Sequence, residues 1–184
     1  MKDFLKTESL CLRAPELSDA ETLFIWENNS GDWFTSNTIY APLSMSQIEE
    51  HIKNCTNNPF ADGQLRLMLE DRTMNKAIGT VELTDLNPIN GTVTVGFYID
   101  PSMRGKGYGV EMIRLIKEYC LMFLGLRTIA AYTAESNLAA RKILEKNGFE
   151  VTGRLYGWLK SFDNGTEDML VCQCISCQSD SSAE

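Results

Sequence analysis

The stretch Met103-Arg104-Gly105-Lys106-Gly107-Tyr108-Gly109 constrains this chain more than any other. It follows an apolar run, Val93 to Ile99, that reads as a strand, and precedes an amphipathic segment, Val110 to Leu124, that reads as a helix. Glycines at alternate positions let the backbone take positive φ and let a ligand approach without a Cβ in the way. The first N–H groups of a helix lack partners within it, and the helix dipole adds roughly half a positive charge at that end. A junction of this composition is an anion site suited to phosphate or pyrophosphate, with Arg104 and Lys106 as adjacent cations.

Two common nucleotide patterns fail on this stretch. The Walker A arrangement is absent, and in the dinucleotide pattern the third glycine arrives one residue early, at Gly109. What fits is Arg-x-x-Gly-x-Gly, running Arg104, Gly107, Gly109. Taken alone, it can equally be a glycine-rich turn with no ligand.

The 184 residues suit one domain, expected over 1–175, with 176–184 (SCQSDSSAE) reading as a disordered tail. A net charge of −8 argues against a nucleic-acid partner, because binding a phosphate backbone needs a cationic surface. No apolar run approaches the ~20 residues that span a bilayer, and MKDFLKTESL has no apolar signal region, so a cytoplasmic protein without a membrane partner is expected. Six cysteines are then expected to be reduced. Cys172-x-Cys174-x-x-Cys177 lacks a second ligand pair at metal spacing, and the lone histidine, His51, lies in a separate polar helix, so no metal is expected.

Alternating or continuous apolar runs predict strands over Ser9–Arg13, Gln64–Glu70, Ala77–Leu83, Thr92–Asp100, Arg127–Thr133, Phe149–Lys160 and Glu167–Ile175. Capping boxes at Ser18/Glu21 and Ser46/Glu49 open helices ending near Asn29 and Thr56. Val110, Ile113, Ile116, Cys120 and Phe123 form the apolar stripe of a third helix, stopped by Gly125. Ser136 or Asn137 caps a fourth, with Gly148 at its C-terminal end. Asp163-Asn164-Gly165 reads as a hairpin turn. The order β-α-α-β-β-β-α-β-α-β-β is an α+β design, a mixed sheet with helices on both faces.

Two motifs in this order, Gly96 to Gly109 and Glu135-Ser136-Asn137 through Lys146-Asn147-Gly148-Phe149, resemble the core of the GNAT superfamily of N-acetyltransferases. The resemblance extends over roughly residues 8–175 and is greatest to the ribosomal-protein alanine acetyltransferases and the spermidine acetyltransferases. It implies a mostly antiparallel sheet with splayed central strands, and acetyl-CoA as co-substrate. Backbone amides of Arg104, Gly105, Lys106, Gly107, Tyr108 and Gly109 would hold the pyrophosphate. Ile99 would lie along the pantetheine, and Asn137 would bond the pantetheine or thioester end. Lys106, Arg141 and Lys142 would approach the adenosine phosphates, Lys142 reading equally well as a solvated helix face.

The implied reaction is direct attack of a primary amine, small or at a peptide N-terminus, on the acetyl thioester. An alkyl amine of pKa ~10.4 is about one part in 10³ unprotonated at pH 7, a cost of roughly 4–5 kcal/mol. A carboxylate base can offset much of that, worth about 10²–10⁴ in rate. Glu82 is the first candidate, while Asp100 reads better as the residue that orders the turn into the loop. The family's usual acids, a tyrosine or a serine in the last helix, fall at Leu144 and Ala140. Tyr98 and Tyr132, on strands beside the splay, are the replacements. The acceptor site in this fold draws on the first two helices and the last hairpin, which here hold Trp26, Trp33, Phe34, Tyr156 and Trp158 with Asp32 and Asp163. Of these, Trp33 and Tyr156 are the substrate-contact candidates. A homodimer is common among such proteins. The alternative to an enzyme is an acyl-CoA-binding sensor on the same fold, motivated by the missing serine and tyrosine.

Overall fold

The computed structural model describes residues 3–31, 41–161, 163 and 165–176. Trp33, Phe34, Asp32, Asn164, Cys177 and nearly all of the expected tail lie outside the described residues. Seven strands form one sheet in the order β1-β2-β3-β4-β5-β7-β6. They are β1 (Leu10–Arg13), β2 (Leu65–Asp71), β3 (Lys76–Asn87), β4 (Thr92–Ile99), β5 (Thr128–Ala134), β6 (Glu150–Lys160) and β7 (Thr166–Ile175). Every neighbouring pair is antiparallel except β4 and β5. Those two run parallel and pair only at Thr92–Thr128, Val93–Ile129 and Thr94–Ala130. Beyond Thr94 they part. β4 stays on β3 as far as Ile99, and β5 stays on β7 as far as Ala134.

Strand alternation divides the core in two. Leu67, Leu69, Val81, Leu83, Val93 and Val95 pack with Met112, Ile113 and Ile116 of α4 (Tyr108–Glu118) and Leu144 of α5 (Leu138–Lys146). Met68, with neighbours facing that core, turns the other way and packs with Leu23 and Trp26 of α1 (Ala20–Glu27) and Ile48 and Ile52 of α2 (Met45–Asn54). Helices therefore cover both faces, as the element order implies. One short helix is additional: α3 (Pro59–Asp62), capped by Asn58 and closed by Gly63 at φ +68°.

The helix starts differ from expectation. The second box is Ser44/Gln47, two residues upstream: Ser44 Oγ accepts from Gln47 N at 3.2 Å and Gln47 Oε1 accepts from Ser44 N at 2.8 Å. Both serines satisfy the pattern, and the earlier one lets Met45 pack beside Ile48 and Ile52. The first helix is preceded by a 3₁₀ turn, Leu17–Asp19, closed by Asp19 accepting the Glu16 N–H at 2.8 Å, and the expected Ser18/Glu21 box is not formed. Arg13 holds Asp19 there, clamping its carboxylate through both guanidinium ends, at 2.7 and 2.9 Å. After Glu118 the third predicted helix widens into a π-type turn, Tyr119–Phe123. The change of pitch buries Cys120 but swings Phe123 outward, 64% exposed, against the Tyr119 ring. Burial pushes the Cys120 thiol up to about 12, so it is a core group without nucleophilic character. Cys172 and Cys174 share the buried face of β7.

Arg13 also bonds Glu70, so one guanidinium ties β1, β2 and the entry to α1 together. Burial raises the Asp19 pKa, but the Arg13 hydrogen bonds and the Glu16 amide outweigh it and leave the carboxyl below its usual range. A depressed carboxyl contributes stability above its unfolded pKa and loses it as pH falls through the folded one. Asp19→Asn should therefore lower the urea midpoint at pH 7, and the gap to the unsubstituted protein should close as pH falls below the ordinary carboxylate range, about 4.

Candidate active site

The glycines of the loop do different work. Gly105 and Gly107 sit at φ +79° and +88°, and a Cβ on either would meet nothing within 4 Å. Their requirement is conformational, since left-handed backbone disfavours other residues. Gly109 is buried, and a Cβ there would come 2.7 Å from Ile143 Cδ1, so it lets α4 approach α5. Val110 and Glu111 donate back to Gly107 O. The N–H groups of Gly105, Lys106, Gly107, Tyr108 and Gly109 have no acceptor among the described residues. Five donors without an acceptor among the described residues thus lie in the loop and first turn of α4, and a helix N-terminus with free N–H groups is suited to an anion.

The cations sit less simply. Arg104 N–H donates to Pro101 O at 3.4 Å, and its side chain turns back, Nε bonding Ile99 O at 3.0 Å with the guanidinium 5.3 Å from the Tyr98 ring centre. Arg104 therefore braces the end of β4. Lys106 Nζ lies 3.7 Å from Met103 Sδ, and Lys142 is exposed on α5. Asp100 caps the turn into the loop, accepting from Ser102 Oγ at 2.6 Å, Ser102 N at 2.9 Å and Trp26 Nε1 at 3.0 Å. The Ser102 hydrogen bond is the main reason its carboxyl lies below the usual range. With both oxygens engaged, Asp100 is a structural residue.

The parting of β4 and β5 makes the cleft. Asp100 N–H bonds Ile78 O, so by strand alternation the backbone groups of Phe97 and Ile99 point away from β3 and into the gap. Asn137 caps α5 beyond the end of β5, its Oδ1 accepting from Ala140 N at 3.0 Å. The register then aligns three residues on the α1/α2 face. Glu82 pairs with Gly96, and the offset that sets Thr94 beside Ala130 brings Tyr132 opposite Gly96 across the split. Gly96 has nothing within 4 Å of its Cβ position, so the floor between Glu82 and Tyr132 is open. Two strand spacings separate them, about 10 Å before splaying. Glu82 Oε1 lies 3.1 Å from Arg66 Nε, and Arg66 also pairs with Glu27. Both border a cavity of about 290 Å³, lined in addition by His51, Cys55 and Asp62.

Other predicted residues are not gathered there. Tyr98 shares the face but is half-buried between the Trp26 ring, 5.5 Å away, and Arg104. Trp26 itself is core, 6% exposed. Tyr156 and Trp158 lie exposed on β6, the edge strand, two strands from β5. Leu144 is fully buried and Ala140 gives only its backbone to the cap, so neither supplies an acid. Three contributors escaped sequence reading: Gly96 as the open floor, Arg66 as the partner of Glu82, and Asp71, which accepts a hydrogen bond from Tyr108. Only the strand register reveals the first two.

Residues 9–150 match the family model of the acetyltransferase (GNAT) domain. The spermidine N(1)-acetyltransferase of Vibrio cholerae is 30% identical over 151 residues, 79% of this chain and 82% of that protein. The probable N-acetyltransferase YjcK of Bacillus subtilis is 27% identical over 155 residues, 81% and 84% of the two chains. Among solved structures, the Vibrio cholerae spermidine N-acetyltransferase in complex with CoA and spermine superposes with a TM-score of 0.77 at 26% identity, over 92% of this chain and 96% of that one. The ribosomal-protein-S5-alanine acetyltransferase of Vibrio fischeri shares the fold at a TM-score of 0.80 and 19% identity, covering 94% and 96%.

The contrast between glycines is measurable. Gly107→Ala should destabilise the protein by about 1–2 kcal/mol in urea titrations, because alanine resists the left-handed region. Gly96→Ala, with ordinary φ and open space, should stay within about 0.5 kcal/mol.

Proposed function

The chain belongs to the GNAT family of acetyltransferases, and on that premise we propose that it transfers the acetyl group of acetyl-CoA to a primary amine by direct attack in a ternary complex. The observation that carries the reading is the row Glu82, Gly96, Tyr132 across the split, beside a helix N-terminus with five unshared N–H donors. The loop amides receive the pyrophosphate. The backbone groups of Phe97 and the N–H of Ile99, which point into the gap, pair with the pantetheine arm, and the Asn137 amide, its oxygen engaged in the cap, donates toward the thioester end.

Chemistry follows from the row. Glu82 takes a proton from the ammonium, through water, and frees the nitrogen lone pair to attack the thioester carbon. The oxyanion that forms is stabilised by a backbone N–H in the gap, where a preorganised donor is worth more than water. As the tetrahedral intermediate collapses, the C–S bond breaks, Tyr132 donates a proton to the departing sulfur, and the second proton that the nitrogen must lose to become a neutral amide returns through water to the Tyr132 oxygen. Tyr132 is half exposed and on the opposite bank from Glu82, so base and acid approach the carbonyl from two sides. The acceptor class best supported is a polyamine. The similarity to spermidine acetyltransferases favours it, and a chain of net charge −8 attracts a polycation.

One observation favours a second reading, an acyl-CoA sensor without turnover: both usual acid positions are filled by aliphatic residues, Leu144 and Ala140. Colorimetric thiol release from acetyl-CoA separates the two, run with spermidine, alanine-starting peptides, aminoglycosides and amino acids, and with a blank lacking acceptor to correct for the protein's own cysteines. Multiple turnovers with one amine class support the enzyme. Binding of acetyl-CoA without turnover on any amine supports the sensor. In the active case, Glu82→Gln should lower kcat/KM at pH 7 by about 10²–10⁴ and leave the acetyl-CoA affinity unchanged; full activity in that variant removes Glu82 as the base.

A further inference from the structure

The loop presents five donors, yet two of its residues are glycines at positive φ with no contact at the Cβ position, and something must hold it in place. At its start, Arg104 is tied to Ile99 O. From Gly105 to Gly107 no backbone hydrogen bond is donated to any described residue. The next anchor is the Tyr108 side chain. Its ring packs against the main core, and its hydroxyl donates to Asp71 Oδ2 at 2.9 Å.

Asp71 ends β2, two strands from β4, and is buried. Its other oxygen is fully engaged by the following turn, accepting from Thr73 Oγ1 at 2.7 Å, Thr73 N at 2.9 Å and Met74 N at 3.2 Å. Its backbone sits in register with Leu10 on one side and Lys76 on the other. The carboxylate is thus fixed by three donors and by two strand neighbours, with one oxygen left to face Tyr108. Hydrogen bonds from Thr73, foremost, hold the Asp71 carboxyl below its usual range, and the bond to Asp71 pushes the Tyr108 hydroxyl up. At neutral pH the pair is a phenol donor and a carboxylate acceptor.

We propose that the Tyr108–Asp71 hydrogen bond is the tether that sets the pyrophosphate loop, so that both side chains act as positioning residues for acetyl-CoA although neither touches the reacting atoms. The inference rests on the reading of this loop as the coenzyme A site. Tyr108 is the first residue of α4, so its side chain fixes the orientation of the turn that carries the donors. A bond from a preset carboxylate to that residue reduces the freedom the glycines leave, and with it the ordering cost of binding.

The test compares Tyr108→Phe with the unsubstituted protein in two measurements. Calorimetric titration with coenzyme A reads affinity, and amide hydrogen exchange over residues 104–109 of the free protein reads loop order. The expected result is coenzyme A binding weakened by about threefold to tenfold, faster loop exchange, and a rise in acetyl-CoA KM larger than any fall in kcat. Asp71→Asn retains an amide that can donate to the phenol oxygen, so it should bind coenzyme A more tightly than Asp71→Ala. If the unsubstituted protein binds coenzyme A and Tyr108→Phe matches it in affinity and in loop exchange, the tether is overturned and the coenzyme A reading stands. If the unsubstituted protein fails to bind coenzyme A, that reading falls, and the proposed role of the tether falls with it.

Discussion

β4 and β5 are parallel neighbours that share three rungs and then separate, and the rest of the architecture is arranged around that separation. Parting two central strands leaves backbone donors and acceptors without partners, which a folded chain ordinarily avoids. The break is tolerated because each strand keeps a complete partner on its other side. β4 is paired with β3 to its last residue, and β5 with β7 over its full length. On one face α4 and α5 span the gap, and their contact is close because Gly109 carries no side chain toward Ile143. Asn147 reinforces it, donating from Nδ2 to Val110 O at 3.1 Å and Ile143 O at 2.9 Å, while Lys117 Nζ donates to Asn147 O at 2.7 Å.

The split also explains how the two halves of the site come into register. The strands are parallel, and the loop that follows β4 and the cap that follows β5 lie at the same end of the sheet. A helix N-terminus therefore stands beyond each bank of the cleft. The face away from these helices carries Glu82, Gly96 and Tyr132 in one row, and the absence of a side chain at Gly96 keeps the row open.

Charge is handled by pairing at few points. Arg66 is nearly buried and is compensated by Glu27 and Glu82, which raise its pKa against the opposing effect of burial. Removing either carboxylate would leave part of a buried cation unmatched, a more serious loss than the pair's net worth to stability. Arg13 serves the outer edge of the sheet in the same way, and Arg154 joins Glu135 to Asp168 beside the cap of α5.

By itself the sequence determined the order of the strands and of the four longer helices, the loop at the strand-to-helix junction, and a cap at Ser136 or Asn137 for the last helix, of which the structure uses Asn137. These features depend on neighbours within a few residues: glycine at positive φ, alternation along a strand, a side-chain amide reaching its own helix start. Where two local solutions were equivalent, as with Ser44 and Ser46, packing chose between them through Met45. Only the tertiary structure decided that Phe123 belongs to the surface, that Arg104 braces a strand, and that Asp71 reaches the loop through Tyr108. It alone set Glu82 level with Tyr132, since that relation requires β3, β4 and β5 to pair in a particular register. Register is fixed by the burial of whole sheet faces, and no local pattern in the chain carries it.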